Sequence, residues 1–331
     1  GRANVFALSP SNGELGVVVI HRDQLYGRIR RTAPVYGTTG TFVVVVENLV
    51  AFQSRYGTSV RVADGDDGQG GPGGQYGGKL SNNGERLTLL DGSGQVIQQF
   101  TYDDTGQWPG RADGNGSTLE VIDMEGNYDD ANNWRSSIDF LGSPGAAGSS
   151  PSDDVLVNEV LANSDPPSVD AIELFNTSGT LIDLSGWYLS DSNADYLKYV
   201  FPTGTTIPAD GYLVIDENDF NVGGGLGPGD FQLSSFGDDV TLLSSDGSGR
   251  PLKFMDRVEF KATLSGVSLG RVPNGDVNDQ LVPQTRVTLG AVNLGHRPGE
   301  IVISEVHFNP PAADDTGREF VELFNTTVSP I

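Results

Sequence analysis

Four glutamates recur at matching places in two similar stretches of this sequence. They are Glu159 and Glu173 in the first stretch and Glu305 and Glu322 in the second. Paired carboxylates can act as acid and base in hydrolysis, which is one interpretation. The other is structural: a carboxylate among apolar residues on a half-exposed strand can pair with an arginine or cap turn amides. Repetition along one chain favours the structural interpretation, and we assign no catalytic residue.

Three asparagines and one tryptophan accompany these glutamates. Asn176 and Asn325 each end an apolar segment and precede small hydroxyl residues, where asparagine commonly bonds to its own turn. Asn158 lies directly before the first of the recurring glutamates. Trp187 follows a glycine in an apolar segment and is most simply a packing residue. We predict that these four residues and the four glutamates form a structural motif.

Two acidic loops could supply oxygen ligands to a metal ion. Their acidic residues are Asp64, Asp66, Asp67, Asp314, Asp315 and Glu319. Calcium takes about six to eight oxygen ligands, and flexible Asp-rich loops can provide them. The spacing of an EF-hand is absent, and solvated loops are the alternative. We expect that any bound metal is calcium, held weakly and in a structural role.

The composition excludes several other functions. The chain has 331 residues and a formal net charge of −24, which opposes binding to the phosphate backbone of nucleic acids. It has no cysteine, so thiolate zinc sites and cysteine nucleophiles are excluded. No apolar run approaches the length of a membrane span. The sequence also lacks a Gly-Lys-Ser/Thr phosphate loop.

The chain repeats itself in a fixed order. Residues 158–179 resemble residues 304–327, and Glu159 precedes Glu305 by 146 positions. Three further pairs are 80–94 with 233–249, 42–48 with 212–218, and 117–123 with 267–273. These pairs predict a repeating unit of about 150 residues.

The repeat predicts the division of the chain into modules. Residues 1–40 are unassigned strands, either a diverged front half of the first module or something unrelated. The remaining divisions are the later part of the first module (41–148), a linker (149–154), a complete second module (155–297) and the opening strands of a third, truncated module (300–331). Since the chain starts at Gly1 and the repeat stops within a module, we expect a segment of a longer polypeptide.

Short β-branched segments separated by Gly, Pro, Asn and Asp predict an all-β fold. The segments 155–163 and 171–176 are examples, and each ends at a turn signal. Many such strands at regular spacing are typical of a sandwich or barrel. Residues 47–57 are the exception and predict one short helix.

A set of spaced residues across residues 158–191 resembles the lamin-tail domain family, of the bacterial tandem-repeat type. The set comprises Asn158, Glu159, Asn163, Ile172, Glu173, Leu174, Asn176, Ser178, 183–187 and Asp191. The segments 201–215 and 234–243 resemble the family's later strands. The resemblance implies tandem immunoglobulin-like β-sandwich modules. Bacterial members of the family resemble extracellular or envelope modules, often placed beside enzymatic domains.

We therefore expect a non-catalytic structural or interaction segment of a large secreted or cell-surface bacterial protein. Its partners would be neighbouring modules or identical copies, with cell-wall or surface glycans as a further class and filaments as one form of assembly. The alternative is an accessory binding module of a larger extracellular hydrolase, nuclease or spore-coat-H-type kinase-like protein. We expect no nucleic-acid partner and no membrane-spanning segment.

Overall fold

The computed structural model describes residues 4–8, 17–20, 42–63, 79–91, 95–224, 227–276, 280–308 and 318–329. The chain divides into two compact units. Unit 1 consists of residues 1–151 and 251–254, and unit 2 consists of residues 152–250 and 255–331. Within the described ranges, none of the helices combines the length and apolar character needed to cross a bilayer.

Unit 1 contains two small sheets and a capped helix. Its elements are β1 (Asn4–Leu8), β2 (Val17–Ile20), α1 (Leu49–Tyr56), β3 (Glu85–Asp91), β4 (Val96–Tyr102), a 3-10 turn (Gly110–Ala112), β5 (Leu119–Val121), a second 3-10 turn (Ala131–Asn133) and β6 (Trp134–Ser136). The first four strands form one sheet in the order β1-β2-β3-β4, and β5 pairs with β6.

The helix predicted over residues 47–57 is confirmed as α1. It begins after Asn48, whose side-chain oxygen accepts a hydrogen bond from the Ala51 amide at 2.9 Å. It ends at Gly57, which has a φ of 81° and therefore adopts a backbone conformation that favours glycine.

Aromatic rings pack together in unit 1. Trp134 stacks on Phe100 with ring centroids 5.1 Å apart and meets Tyr128 edge-on at 5.5 Å. Trp108 lies 6.0 Å from Trp134. These spacings are those of favourable aromatic pairs, and all four side chains are half-buried.

Unit 2 forms a β-sandwich. Its elements are β7 (Val155–Leu161), β8 (Ala171–Asn176), β9 (Ile182–Asp183), β10 (Tyr188–Ser190), β11 (Tyr199–Val200), β12 (Thr206–Ile207), β13 (Tyr212–Asp216), α2 (Glu217–Phe220), β14 (Gly237–Ser245), β15 (Pro251–Lys261, of which residues 255–261 belong to this unit), β16 (Leu269–Gly270), β17 (Val282–Pro283), β18 (Ile301–His307) and β19 (Phe320–Asn325). One sheet has the order β13-β8-β7-β16-β17 and the other β11-β10-β14-β15. Both contribute to one core, which includes Val157 and Leu174 from the first and Leu189 and Leu242 from the second. The all-β prediction is confirmed, and Trp187 belongs to this core.

A β-bulge shapes the hairpin of β7 and β8. Val157 pairs with Leu174 and Glu159 pairs with Glu173, which leaves Asn158 as the extra residue. A bulge shifts the alternation of faces by one position. Accordingly, Val155 and Val157 before the bulge and Val160 after it all join the core.

The hairpin of β18 and β19 repeats this geometry. Ile303 pairs with Leu323, Glu305 pairs with Glu322, and the register shifts at Ser304 between them. The bulge therefore falls at the same place as in β7. The environment differs: β7 is entirely buried, whereas β19 is exposed along its whole length.

One strand pair in unit 1 has the same register as one strand pair in unit 2. Val18, Val19 and Ile20 of β2 pair with Leu89, Thr88 and Leu87 of β3, respectively. Tyr188, Leu189 and Ser190 of β10 pair with Leu243, Leu242 and Thr241 of β14 in the same antiparallel order. Strand β2 thus takes the place beside β3 that β10 takes beside β14.

One expected strand is not continuous. The sequence pairs residues 42–48 with β13, but the structure forms only isolated bridges there, such as Val44 with Val62. In unit 2, β13 pairs along its full length with β8. No described strand of unit 1 pairs with residues 42–46 in that way, so the segment lacks the ladder that defines a strand.

Candidate functional site: a buried carboxylate network

The bulge in β7 positions a polar network on one face of the five-stranded sheet. Val157 and Leu174 point into the core, so Glu159 and Glu173 point to the opposite face. That face is covered by residues that follow β17, among them Thr288. As a result, both glutamates are fully buried, and the expectation of a half-exposed sheet is wrong here.

Glu159 is fully hydrogen-bonded by neutral donors. One carboxylate oxygen accepts from the Thr288 amide at 2.8 Å and from the Ser268 hydroxyl. The other accepts from the Thr288 hydroxyl at 2.7 Å. This glutamate therefore ties β7 to the segment that follows β17.

Glu173 lies across the strand pair and bonds to different donors. It accepts from the Asn158 side-chain amide at 2.7 Å and from the Gly290 backbone amide at 2.5 Å. Burial raises the pKa of Glu173 to about 7, and the negative charge of Glu159 adds to the increase. The two hydrogen bonds oppose this shift, because they stabilise the charged form.

An ion pair lies beneath the bulge. The Arg271 guanidinium bonds to a carboxylate oxygen of Asp256 at 2.8 Å and to the Val157 carbonyl at 2.8 Å. The same Asp256 oxygen accepts from the Val157 amide at 2.7 Å. Arg271 is fully buried, and the Asp256 side chain is 6% exposed. The pair thus satisfies backbone groups of β7 next to the bulge.

Asn176 ties the end of β8 to its surroundings. Its side-chain oxygen accepts from the Ser178 amide and hydroxyl, which closes the turn. Its side-chain nitrogen donates to the carbonyls of Thr180, Ile207 and Pro208. Residues 176–178 also match the Asn-x-Ser/Thr glycosylation sequon. Because the Asn176 side-chain nitrogen is buried and hydrogen-bonded, it is not accessible to this modification in the folded state.

The exposed hairpin keeps the local part of this network. The Ser304 hydroxyl donates to Glu322, as Asn158 donates to Glu173. Asn325 accepts from the Thr327 amide at 2.8 Å and donates to the Ser329 carbonyl at 2.8 Å, which reproduces the Asn176 turn. Glu305 is exposed, and the described contacts of its carboxylate include no counterpart of Ser268 or Thr288.

Of the residues predicted to bind calcium, only Glu319 is described, and it is exposed. The predictions at Asp64, Asp66, Asp67, Asp314 and Asp315 lie outside the described residues. Across the described ranges, no group of three or more His, Cys, Asp or Glu side chains could hold a metal ion.

Sequence reasoning missed the partners of the glutamates. Ser268, Thr288 and Gly290 lie more than a hundred residues away from the carboxylates they bond to. The pair of Arg271 and Asp256 was also missed, although a charged residue inside an apolar strand segment was a usable signal. Such a residue must find a partner if the strand is buried.

The arrangement holds the fold rather than a reactant. Buried carboxylates that act on a substrate need an open position beside them. Here the oxygens of Glu159 and Glu173 are occupied by donors from the protein, and both side chains are buried. What this network can do is fix the bulge and attach the segment after β17 to the sheet.

The comparison with known families agrees with the geometry of unit 2. Residues 148–261, which include strands β7 to β15, match the family model described as Lamin Tail Domain. A search of curated proteins found no match. The family has an immunoglobulin-like fold and is not enzymatic. Residues 148–261 are therefore similar to the lamin tail domain family.

Proposed function

We propose that this chain is a non-catalytic structural and interaction segment of a large secreted or cell-surface bacterial protein. In this proposal it is built of tandem lamin-tail-like sandwiches that assemble with neighbouring modules or identical copies. The observation that carries it is that one hairpin geometry occurs twice, with the same bulge and the same asparagine turn. One occurrence is buried in a sandwich and the other is exposed.

The exposed occurrence supports an interaction role. Ile303 is 64% exposed and Leu323 is 63% exposed, whereas their counterparts Val157 and Leu174 are fully buried. A contiguous exposed apolar face of this kind is typical of a surface that binds another protein. The burial of Glu159 and Glu173, with hydrogen bonds to both oxygens of each carboxylate, supports the absence of catalysis in unit 2.

Self-association tests this proposal. We expect the sedimentation coefficient of the 331-residue chain to rise with protein concentration in sedimentation velocity experiments. A chain that sediments as a single monomeric species up to the highest soluble concentration would contradict assembly between copies.

The second candidate is an accessory binding module of a larger extracellular hydrolase, nuclease or spore-coat-H-type kinase-like protein. It is favoured by the half-buried aromatic cluster around Trp134, since partly exposed tryptophans can stack on sugars. Retention of the chain on isolated cell walls, lost in Trp108→Ala, would support this candidate. The absence of retention would contradict it.

Calcium remains a proposal for the two acidic loops. Isothermal titration with CaCl2 and thermal unfolding with and without chelator test it together. We expect weak heat and a small rise in melting temperature with calcium. The absence of both would remove calcium from the proposal.

A further inference from the structure

The β18–β19 hairpin has an apolar face like the one that β7 and β8 bury in the sandwich core, but here the face is exposed. In unit 2, the residues that point from β7 and β8 into the core include Val155, Val157, Val160, Ile172 and Leu174. The residues at the same register positions in the second hairpin are Ile301, Ile303, Val306, Val321 and Leu323. All five are large and apolar, and all five are exposed. Elements like those that cover β7 and β8 would therefore bury this face too.

Unit 2 shows what that covering is. Strand β13 pairs with β8 along five residues, and β16 pairs with β7 through Leu269 and Gly270. The β7–β8 hairpin thus lies between β13 and β16 in the sheet, with the second sheet against its inner face.

Unit 1 contains counterparts of both flanking strands. Strand β5 pairs with β6 as β16 pairs with β17. A backbone hydrogen bond next to each strand pair joins equivalent residues. That bond joins the Ser137 amide to the Thr118 carbonyl in unit 1, and the Gln284 amide to the Ser268 carbonyl in unit 2, at 2.8 Å in each. The segment 42–46 leads into the capped helix α1, as β13 leads into the capped helix α2.

A cavity of about 700 Å³ lies between these two counterparts. Its lining includes Val43 and Val46 from one side, Thr118 and Val121 from the other, and the charged side chain of Arg135. In unit 2, the corresponding space between β13 and β16 is filled by β7 and β8. The cavity is therefore the place that a hairpin of this kind would take.

We infer that the 301–325 hairpin of one copy inserts into the unit 1 cavity of a second copy, with β19 beside residues 42–46 and β18 beside β5. This inference rests on the proposed function, because it names the partner and the site for assembly between copies. Strand addition of this kind gains backbone hydrogen bonds from the open edges and specificity from the side-chain pockets.

The polar residues fit the same placement. Thr118 stands at the position of Ser268, so its hydroxyl can donate to Glu305 as Ser268 donates to Glu159. Glu120 stands at the position of Gly270 and would meet Glu305. Its charge is offset by Arg135, which bonds to Glu120 at 3.1 Å.

Cross-linking between two single-cysteine chains tests the inference. The chain has no cysteine of its own, so each introduced thiol is unique. Val46 is the buried residue of the segment 42–46, as Ile215 is of β13, so burial shifts the pairing of this segment with β13 by one residue from the pairing read in the sequence. With that shift, Val43 stands opposite Phe324. We expect a mixture of V43C and F324C chains, one of them carrying a size tag, to give a mixed dimer with a short bis-maleimide. I97C, on an exposed β4 position outside the cavity lining, replaces V43C as the matched control and should give none.

Sedimentation velocity of L323D provides the second arm. A charge on the inserted face should weaken self-association at least tenfold, while V328D, on a fully exposed residue of the same hairpin region, should leave it unchanged. Self-association that persists in L323D without a V43C–F324C dimer would overturn the insertion but keep assembly between copies. Association lost in L323D but without the cross-link would indicate hairpin-to-hairpin pairing and would also overturn it.

Two further outcomes separate the remaining cases. If the chain is monomeric and the V43C/F324C double variant cross-links within one molecule, the hairpin occupies the cavity of its own chain. That result would overturn insertion into a second copy. A chain that is monomeric at all concentrations and gives no cross-link would refute both the insertion and the proposed assembly.

Discussion

Glu173 shows how burial changes the chemistry of a single side chain. Its usual pKa is 4.5, and in the fold it is about 7. The folded state therefore binds the proton more tightly than the unfolded state does. By linkage, the contribution of Glu173 to stability is fully present below pH 4.5 and is lost as the pH rises through 7.

We predict that the stability of unit 2 falls between pH 4.5 and pH 8 because of this residue, by about 3 kcal/mol at most. E173Q should remove this part of the pH dependence, because glutamine stays neutral. Hydrogen exchange of the β7 and β8 amides, followed by mass spectrometry at both pH values, measures it. Identical pH dependence in the wild-type chain and E173Q would contradict the assignment.

The buried ion pair supports a second prediction at the residue scale. D256A would leave the Arg271 guanidinium buried without its carboxylate, and such a change costs about 3–5 kcal/mol. Urea unfolding followed by Trp187 fluorescence, in a background with the other two tryptophans replaced by phenylalanine, measures the loss. The matched control is E259Q, which breaks the exposed pair of Glu259 with Lys261 and should leave stability unchanged.

The two asparagine turns offer a matched comparison at the scale of the element. Asn176 closes its turn and also donates to Ile207 and Pro208, whereas the described bonds of Asn325 stay within its own turn. We expect N176A to lower the free energy of unfolding of unit 2 by about 1–3 kcal/mol, because buried carbonyls lose their donor. N325A should have a much smaller effect on the same unfolding transition. Equal effects would mean that the additional bonds are not what stabilises the first hairpin.

The energetics of the exposed hairpin limit how strongly it can bind. Full burial of five large apolar side chains contributes about 8–15 kcal/mol, and about half of this applies because they are already partly covered. Association itself costs about 4–15 kcal/mol. Apolar contact alone therefore does not suffice, and backbone pairing at the strand edges has to contribute. Association of modest affinity, visible at high concentration, is what we expect.

The elements differ in how far the sequence alone could predict them. The strands of both hairpins were predictable, because β-branched runs end at strong turn signals. The burial of Glu159 and Glu173 was not, since it depends on the segment after β17, which covers the sheet from a distant part of the sequence. The correspondence of β2 with β10 was also missed: it lies in backbone pairing, and the two strands share too few side chains to reveal it. The module boundaries drawn from the repeat remain predictions.

The whole molecule carries a net charge of −24, which affects any contact between copies. Like-charged chains repel each other, and salt screens this repulsion over about 8–10 Å near physiological ionic strength. We predict that self-association strengthens as NaCl rises from about 20 mM to about 200 mM, as followed by sedimentation velocity. Weaker association in salt would indicate that ion pairs, rather than apolar faces, hold the copies together.

Insertion of one copy into the next would also determine the form of the assembly. The hairpin and the cavity are different surfaces, so the contact is head-to-tail, and it extends into a fibre unless the rotation between copies closes a ring. Negative-stain electron microscopy at high concentration should show linear particles or rings for the wild-type chain and neither for L323D.

The β-bulge at Asn158 and at Ser304 gives a sequence pattern that can be searched for in other proteins. Inward-facing residues of such a hairpin's first strand fall at positions 1, 3 and 6 instead of at every second position, and a glutamate falls at position 5. A strict period-two scan for hydrophobic residues will miss half of that strand. A scan that allows one skipped residue before the acid should find further copies of this hairpin in sequences where overall similarity has faded.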